Sequence, residues 1–485
     1  MNKKLIALFL AALMAVPALV SCGNSKKPSD TSTTTGGDDS AIGGDYAEID
    51  DYVKDLASQY NYDGETFTII GSPETIYPEK AEILGNLEND ALYSRILDVE
   101  ANFGVSVTFR KSVGPDAGYE NTGAETTDVV TTDQMSGLKS YDLIEGNLQT
   151  CGAPLLNAGC LQPVNDYDML DFTKSWWLND LETQFSVGGK LYFLTGKINP
   201  SHYSDASCVL YNKKVAENFS LPDMYEFVSD GTWTVDKMNE IASVIPAGGD
   251  VRRYMVDGSG ALAIYFGGGF TLSGKDDNDT PTVATSLSQG QVDYIDKLNS
   301  IFGDKSVKYD KQNPDYADEF YDREVFENGQ VLFWFDGVWR ANDMRPYDVE
   351  FGILPVPKKD ASQANYISLS SDRAVYFAKD LKDPEMTGVI TEAMAALSEK
   401  HLEPAYYTKA LKGRSTYDSS SKEVLDILYS SKVVDLELSY NWGKLGELIG
   451  TACVGYNDDY ISSYASSTSL AGRYINQLMK KVNQD

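Results

Sequence analysis

Apolar positions along this chain recur with two periods, and each change of period marks an element. Phe67, Ile69 and Ile70 read as a strand closing on Gly71. Leu92, Ile96, Val99 and Phe103 then keep helical spacing as far as Gly104, and residues 105–109 alternate again. The order strand, helix, strand predicts a βαβ opening. Residues 141–144 predict a third strand, turning at Glu145 and Gly146 into a helix that Gly159 closes, with Asp142 placed to cap it. Trp176 and Trp177 fall in a polar-aromatic loop. Residues 188–194 and 209–213 predict two short strands, the second crossing into a new domain. Behind it Thr234 is the expected N-cap of a helix striped by Met238, Ile241, Ala242 and Ile245. Asp236 sits where the helix dipole favours negative charge, and Trp233 staples the start.

The stretch 330–340, QVLFWFDGVWR, carries the strongest signal. A run of apolar residues fit for a buried strand meets a turn at Asp336 and Gly337, and Trp339 follows. Trp334, inside the run, belongs in a core. Trp339, beyond the turn and followed by polar residues, is expected at the surface. Upstream, residues 326–329 read as a helix finishing on a glycine, so the strand leaves a helix and ends at the kind of edge where ligands sit in α/β folds. Residues 351–357 then predict a strand cut by prolines, and 375–377 another. Asp383, Pro384 and Glu385 open a helix with a buried stripe of Met386, Ile390, Ala393 and Leu397. Ser420 to Glu423 is a capping-box pattern, and the remainder reads mostly helical. No internal repeat of fixed period is present.

The first residues have the anatomy of a secretory leader: Lys3 and Lys4, an apolar stretch too short to span a bilayer, then Leu19-Val20-Ser21-Cys22. The stretch from residue 23 to about Tyr60, Gly-, Ser-, Thr- and Asp-rich as far as residue 45, predicts a flexible tether, within which Tyr46, Ile49, Val53, Leu56 and Tyr60 mark a short amphipathic helix. At 485 residues and 42% hydrophobic, the chain is too long for one core and too apolar for disorder. A formal charge of −31 disfavours nucleic acid and anionic ligands and leaves neutral or cationic ones open.

Candidate chemistry narrows further. Cys151, Cys160, Cys208 and Cys453 include no C-x-x-C pair, so no metal site is expected; a Cys151–Cys160 disulfide and four buried free thiols are both open. His202 and His401 are the only histidines and no G-x-S-x-G occurs, which disfavours a hydrolase with a nucleophilic serine, although a glycosidase needs only two carboxylates. Residues 269–275, GFTLSGK, match a phosphate-loop pattern, but Asp276 stands where Ser or Thr is required. Asp276 to Asp279 lack the glycine and distal glutamate of a calcium loop.

Six segments in order, at 141–164, 187–196, 208–215, 230–242, 326–339 and 351–358, give the chain a resemblance to the carbohydrate-type extracellular solute-binding proteins of ABC importers, the family of maltose-binding protein. Leu19–Cys22 is similar to a bacterial lipobox. The resemblance implies an α/β, two-lobed periplasmic-binding-protein-like (type II) fold with hinge crossovers and a helical C-terminal region. It implies a leader over 1–21, a lipidated Cys22 and tether over 22–60, lobe 1 from 62–208 plus 365–412, lobe 2 from 212–342 plus 415–485, and a crossover at 343–364. It further implies a non-enzymatic monomer without cofactor, anchored outside the membrane through Cys22, that passes a carbohydrate to ABC permease subunits.

Glu145, Gly146 and Asn147 fall where the family takes first-lobe contacts, Trp339 where it has a stacking tryptophan, and Trp442 in the late helical region that adds another aromatic. A sugar's apolar face needs a flat aromatic and its hydroxyls need carboxylates or amides, which Trp339, Glu145, Asn147 and Asp336 supply, with Tyr203 available for a hydroxyl. Gly146 stands where the maltose binder has an aromatic, which argues against maltose itself. The alternatives are the same fold binding a peptide or cationic small molecule, and a surface glycoside hydrolase.

Overall fold

The computed structural model describes residues 46–71, 76–112, 122–178, 180–309, 321–344, 347–370, 373–411 and 419–483. The expected leader, Cys22 and the tether up to residue 45 lie outside the described residues. Among the described residues, nine strands build two main sheets: β1 (Thr66–Gly71), β2 (Ser106–Lys111), β3 (Leu143–Asn147), β4 (Ser207–Asn212), β5 (Arg252–Met255), β6 (Lys308–Tyr309), β7 (Val331–Gly337), β8 (Phe351–Pro355) and β9 (Arg373–Tyr376). The first sheet runs β9-β3-β1-β2 and the second β8-β4-β7-β5-β6.

In lobe 1, β1 pairs in parallel with β2 from Thr66 opposite Ser106 to Gly71 opposite Lys111, and with β3 at Ile69 opposite Leu143. A parallel pair needs a crossover, and the helix Leu87–Phe103 supplies it. Asn86 caps its start by accepting the N–H groups of Glu88 and Asn89, and Gly104 ends it at φ 63°, where a side chain would be strained. Asp142 takes the N–H of Thr68 at 2.8 Å and so locks β1 to its neighbour instead of capping a helix. In lobe 2, β7 lies centrally, antiparallel to β4 and parallel to β5. Val331 to Trp334 have no exposed surface, as a strand covered on both faces requires.

Each sheet has its own apolar core. Residues 53–198 contribute to that of lobe 1, apart from Ala91 and Leu92, which join Tyr203, Leu402 and Tyr406 in a small separate cluster, and residues 206–272 contribute to that of lobe 2. Residues 343–364, expected as a crossover, instead carry β8, the edge strand of lobe 2. The C-terminal stretch expected in lobe 2 is divided: Leu436, Tyr440 and Trp442 pack into lobe 1, Leu445 to Val454 into lobe 2. The last helix, Tyr460–Val482, buries Tyr460 and Tyr464 in lobe 2 and Ala471, Ile475, Leu478 and Val482 in lobe 1.

The helix Ala47–Gln59, placed within the tether on sequence grounds, is docked on lobe 1 through Val53 and through the Tyr52 hydroxyl, which donates to Glu392 at 2.9 Å. Trp176 and Trp177 are buried beneath it and donate their indole N–H groups to the two Glu392 oxygens, both at 3.0 Å. Residues 188–194 form isolated bridges rather than a strand. Cys151, Cys160, Cys208 and Cys453 are free, buried thiols.

Candidate functional site

The crossing segment 199–206 runs from the C-terminal end of β3 to that of β7. Asn199 donates its side-chain amide to Glu145 Oε1 at 3.4 Å, and Ser201 Oγ accepts the N–H of Arg373 at 2.9 Å, fixing the start of the segment to lobe 1. At its other end the N–H of Val338 donates to the Ala206 carbonyl at 3.0 Å, just past β7. The C-terminal strand edge of each lobe therefore adjoins the same crossing, which is where open α/β sheets take ligands.

Of the six tryptophans in the chain, Trp176, Trp177, Trp233, Trp334 and Trp442 are at most 4% exposed, whereas Trp339 is 38% exposed. Three neighbours place its ring. Gly337 lets it lie against the backbone, since a Cβ there would stand 2.5 Å from Trp339 Cδ1 and 2.6 Å from Nε1. Val338 is buried, so the chain is anchored between the strand and the helix Trp339–Asp343. The Arg340 guanidinium lies 4.0 Å from the Trp339 ring centre and 4.7 Å from that of Trp334. Trp334 is wholly buried, so the guanidinium ties the part-exposed Trp339 ring to the core of lobe 2. Arg340 is itself held by Asp336 Oδ2 at 3.0 Å and Asp343 Oδ2 at 3.2 Å, and Arg323 joins Asp343 at 2.6 Å.

The other sequence candidates divide. Asn147 is half-buried at the end of β3, and its side-chain oxygen accepts the N–H groups of Gln149 and Thr150, so it shapes the turn whose two following side chains are exposed. Asp336 lies beside Trp339, with its carboxylate engaged by Arg340 and by the N–H of Gly337.

Glu145 must be corrected as a contact residue. It has no exposed surface, and Arg373 grips both its oxygens, Nε to Oε1 at 2.5 Å and Nη2 to Oε2 at 3.2 Å. Gly146 is within β3 rather than in a turn; a Cβ there would run into Cys151 at 2.7 Å, so packing accounts for the glycine. Tyr203 is 2% exposed and stacks on Tyr406 at 5.3 Å, and Trp442 is 4% exposed and stacks on Tyr440 at 4.7 Å. Neither can reach a cleft ligand in this arrangement. Sequence reasoning passed over Arg340, Gln149 and Thr150; the only signal for Arg340 was its place directly after Trp339.

The decoy motifs resolve as structure. Lys275 pairs with Asp279 at 2.9 Å and reaches the Thr183 carbonyl at 2.6 Å, while Asp276 accepts the N–H groups of Asn278 and Thr280 in a closed turn. Among the described residues no group of three His, Cys, Asp or Glu could hold a metal ion. A pocket of about 440 Å³ opens on lobe 2 against Tyr225, Val228, Val424 and Ile427, and shares no lining residue with the surroundings of Trp339.

No protein-family model matches the sequence, and no relative was found for it among characterised proteins. Solved structures do match its fold. An open-conformation sugar transporter protein from Rhizobium etli aligns at TM-score 0.60 and 13% identity over 83% of this chain and 99% of that one. The galacto-N-biose-/lacto-N-biose I-binding protein of the ABC transporter from Bifidobacterium longum, in complex with lacto-N-biose, aligns at 0.56 and 14% over 86% and 99%. An ABC substrate-binding protein from Listeria monocytogenes, in complex with cycloalternan, aligns at 0.53 and 13% over 86% and 99%. The chain has the two-lobed periplasmic-binding-protein fold that the sequence led one to expect.

Proposed function

We propose that this protein is the solute-binding component of an ABC importer and captures a carbohydrate between its lobes. The observation that carries this reading is Trp339: one exposed indole, held flat on its inner side, at the strand edge that adjoins the lobe crossing. A flat aromatic face is what the CH face of a pyranose requires, and the amide of Gln149 and the hydroxyl of Thr150 at the end of β3 supply groups for its hydroxyls. The fold neighbours that are described as sugar binders support the same class of ligand. Lobe closure around the bound sugar would proceed as a hinge motion about residues 199–206 and the later crossings.

Binding without catalysis is the better reading of the carboxylates nearest the site. Asp336 and Asp343 are salt-bridged to Arg340, and Glu145 to Arg373, which leaves none of the three poised as a general acid. The lipobox-like Leu19–Cys22 supports a lipid anchor on Cys22 at the outer face of the membrane, and no described helix is long and apolar enough to cross a bilayer. A monomer that passes its cargo to ABC permease subunits fits the same picture.

The test is a thermal-shift screen of the body from residue 46 onward against mono- and oligosaccharides, amino acids, peptides and polyamines. A ligand at a hundred times its dissociation constant stabilises by about 2.7 kcal/mol, which is readily measured. Stabilisation by an oligosaccharide is the expected result. Stabilisation by peptides or polyamines alone would replace the carbohydrate with the other ligand class, and release of shorter sugars from an oligosaccharide would replace the binder with a hydrolase.

A further inference from the structure

The stack formed by Trp334, Arg340 and Trp339 suggests a role for a residue that a ligand on the exposed side of Trp339 would not touch. We infer that Arg340 is the positioning residue that presents Trp339 as a one-faced stacking platform, an inference that rests on the carbohydrate reading above. Trp339 opens a helix of only five residues and is 38% exposed, and the Gly337 backbone meets its ring along the Cδ1–Nε1 edge. The ring face is restrained by the guanidinium: planar, 8% exposed, 4.0 Å from the ring centre and 4.7 Å from that of the buried Trp334. A guanidinium stacks on aromatic faces in a way an ammonium cannot. Its own position is set from two elements, by Asp336 on β7 and by Asp343 at the end of the helix.

Two consequences follow. The ring is ordered before ligand arrives, so the ordering cost is not charged to binding. The inner face is also taken by a cation, which draws on the same ring quadrupole that a second cation would need from the outer face, so the platform favours a neutral sugar over an amino sugar.

Arg340→Lys separates planarity from charge, because the ammonium still reaches Asp336 and spares the fold an unpaired acid. Since the other five tryptophans are buried, the emission lost in Trp339→Phe reports Trp339 alone. In Arg340→Lys that component is expected to lose anisotropy and to gain acrylamide quenching, with the melting temperature close to that of the wild type. Affinity for the oligosaccharide that stabilises the protein most in the thermal-shift screen is expected to fall about tenfold, the scale of one side chain newly ordered on binding. Arg340→Met serves as the second variant and is expected to show the same optical change with a smaller preference for neutral oligosaccharide over the matching glucosamine oligomer. Wild-type anisotropy and quenching in both variants would overturn the inference. The optical measurements need no ligand, so they decide the role of Arg340 even where no saccharide binds, an outcome that would sink the carbohydrate reading instead.

Discussion

Glu145 is chemically suited to a sugar hydroxyl, yet lobe 1 uses it elsewhere. With no exposed surface and both oxygens on Arg373, it ties β3 to β9 across the sheet edge. Removing one member of such a pair strands the other, so Glu145→Ala is expected to cost about 3 kcal/mol in urea unfolding. Unchanged stability with lost ligand affinity would return Glu145 to the list of contacts. Gly337→Ala is expected to act the opposite way, with a small stability change and a displaced indole, seen as altered Trp339 emission, because the new methyl would occupy the space of Cδ1 and Nε1. Trp339 was legible in the sequence because an Asp-Gly turn and a polar run bracket it. Tyr203 and Trp442 were not, because their burial depends on Tyr406 and Tyr440, partners that no local pattern announces.

At the scale of elements, period served well where one face of a helix or both faces of a strand are buried. Leu92, Ile96, Val99 and Phe103 and the run in β7 are examples. The helix Thr122–Ser136 escaped notice because threonines and acids dilute any stripe, and Gly258–Gly267 because it is apolar all round and glycine-flanked.

The docking of Ala47–Gln59 escaped because it depends on one buried acid. Burial pushes the Glu392 carboxyl up to about 7, against hydrogen bonds from Tyr52, Trp177 and Trp176 that favour the ionised form. The folded chain thus holds a proton there that the unfolded chain releases nearer the usual carboxylate range. The contribution of Glu392 is full below the unfolded value and is lost as pH rises through about 7. Glu392→Gln is expected to remove this slope, read from urea unfolding across pH, while the amide nitrogen, facing an indole N–H, lowers stability at every pH. A wild-type slope that persists in the variant would assign it to another group.

On the scale of the whole molecule, the strands β1, β2, β3, β4 and β7 were readable in order, while β5, β6 and the return path of the chain were not. Nothing in the alternation of apolar residues says that residues 351–355 close the edge of lobe 2, or that Tyr460–Val482 serves both cores. That helix also sets an expectation: truncation before Ala471 removes Ile475, Leu478 and Val482 from lobe 1 and should lower its melting transition more than that of lobe 2. Two transitions in a calorimetric scan, the lobe 1 transition shifted further, would be the signature. Equal shifts would mean that the lobes unfold as one unit.

The central claim, that a carbohydrate stacks on Trp339 at the meeting of the two lobes, is tested most directly by calorimetric titration. The best oligosaccharide from the screen would be titrated into the wild-type body and into Trp339→Ala. The account predicts a single site whose affinity falls at least about tenfold in the variant, with the unliganded melting temperature nearly unchanged. Equal affinity in the two proteins would place the sugar somewhere other than Trp339 and contradict the account.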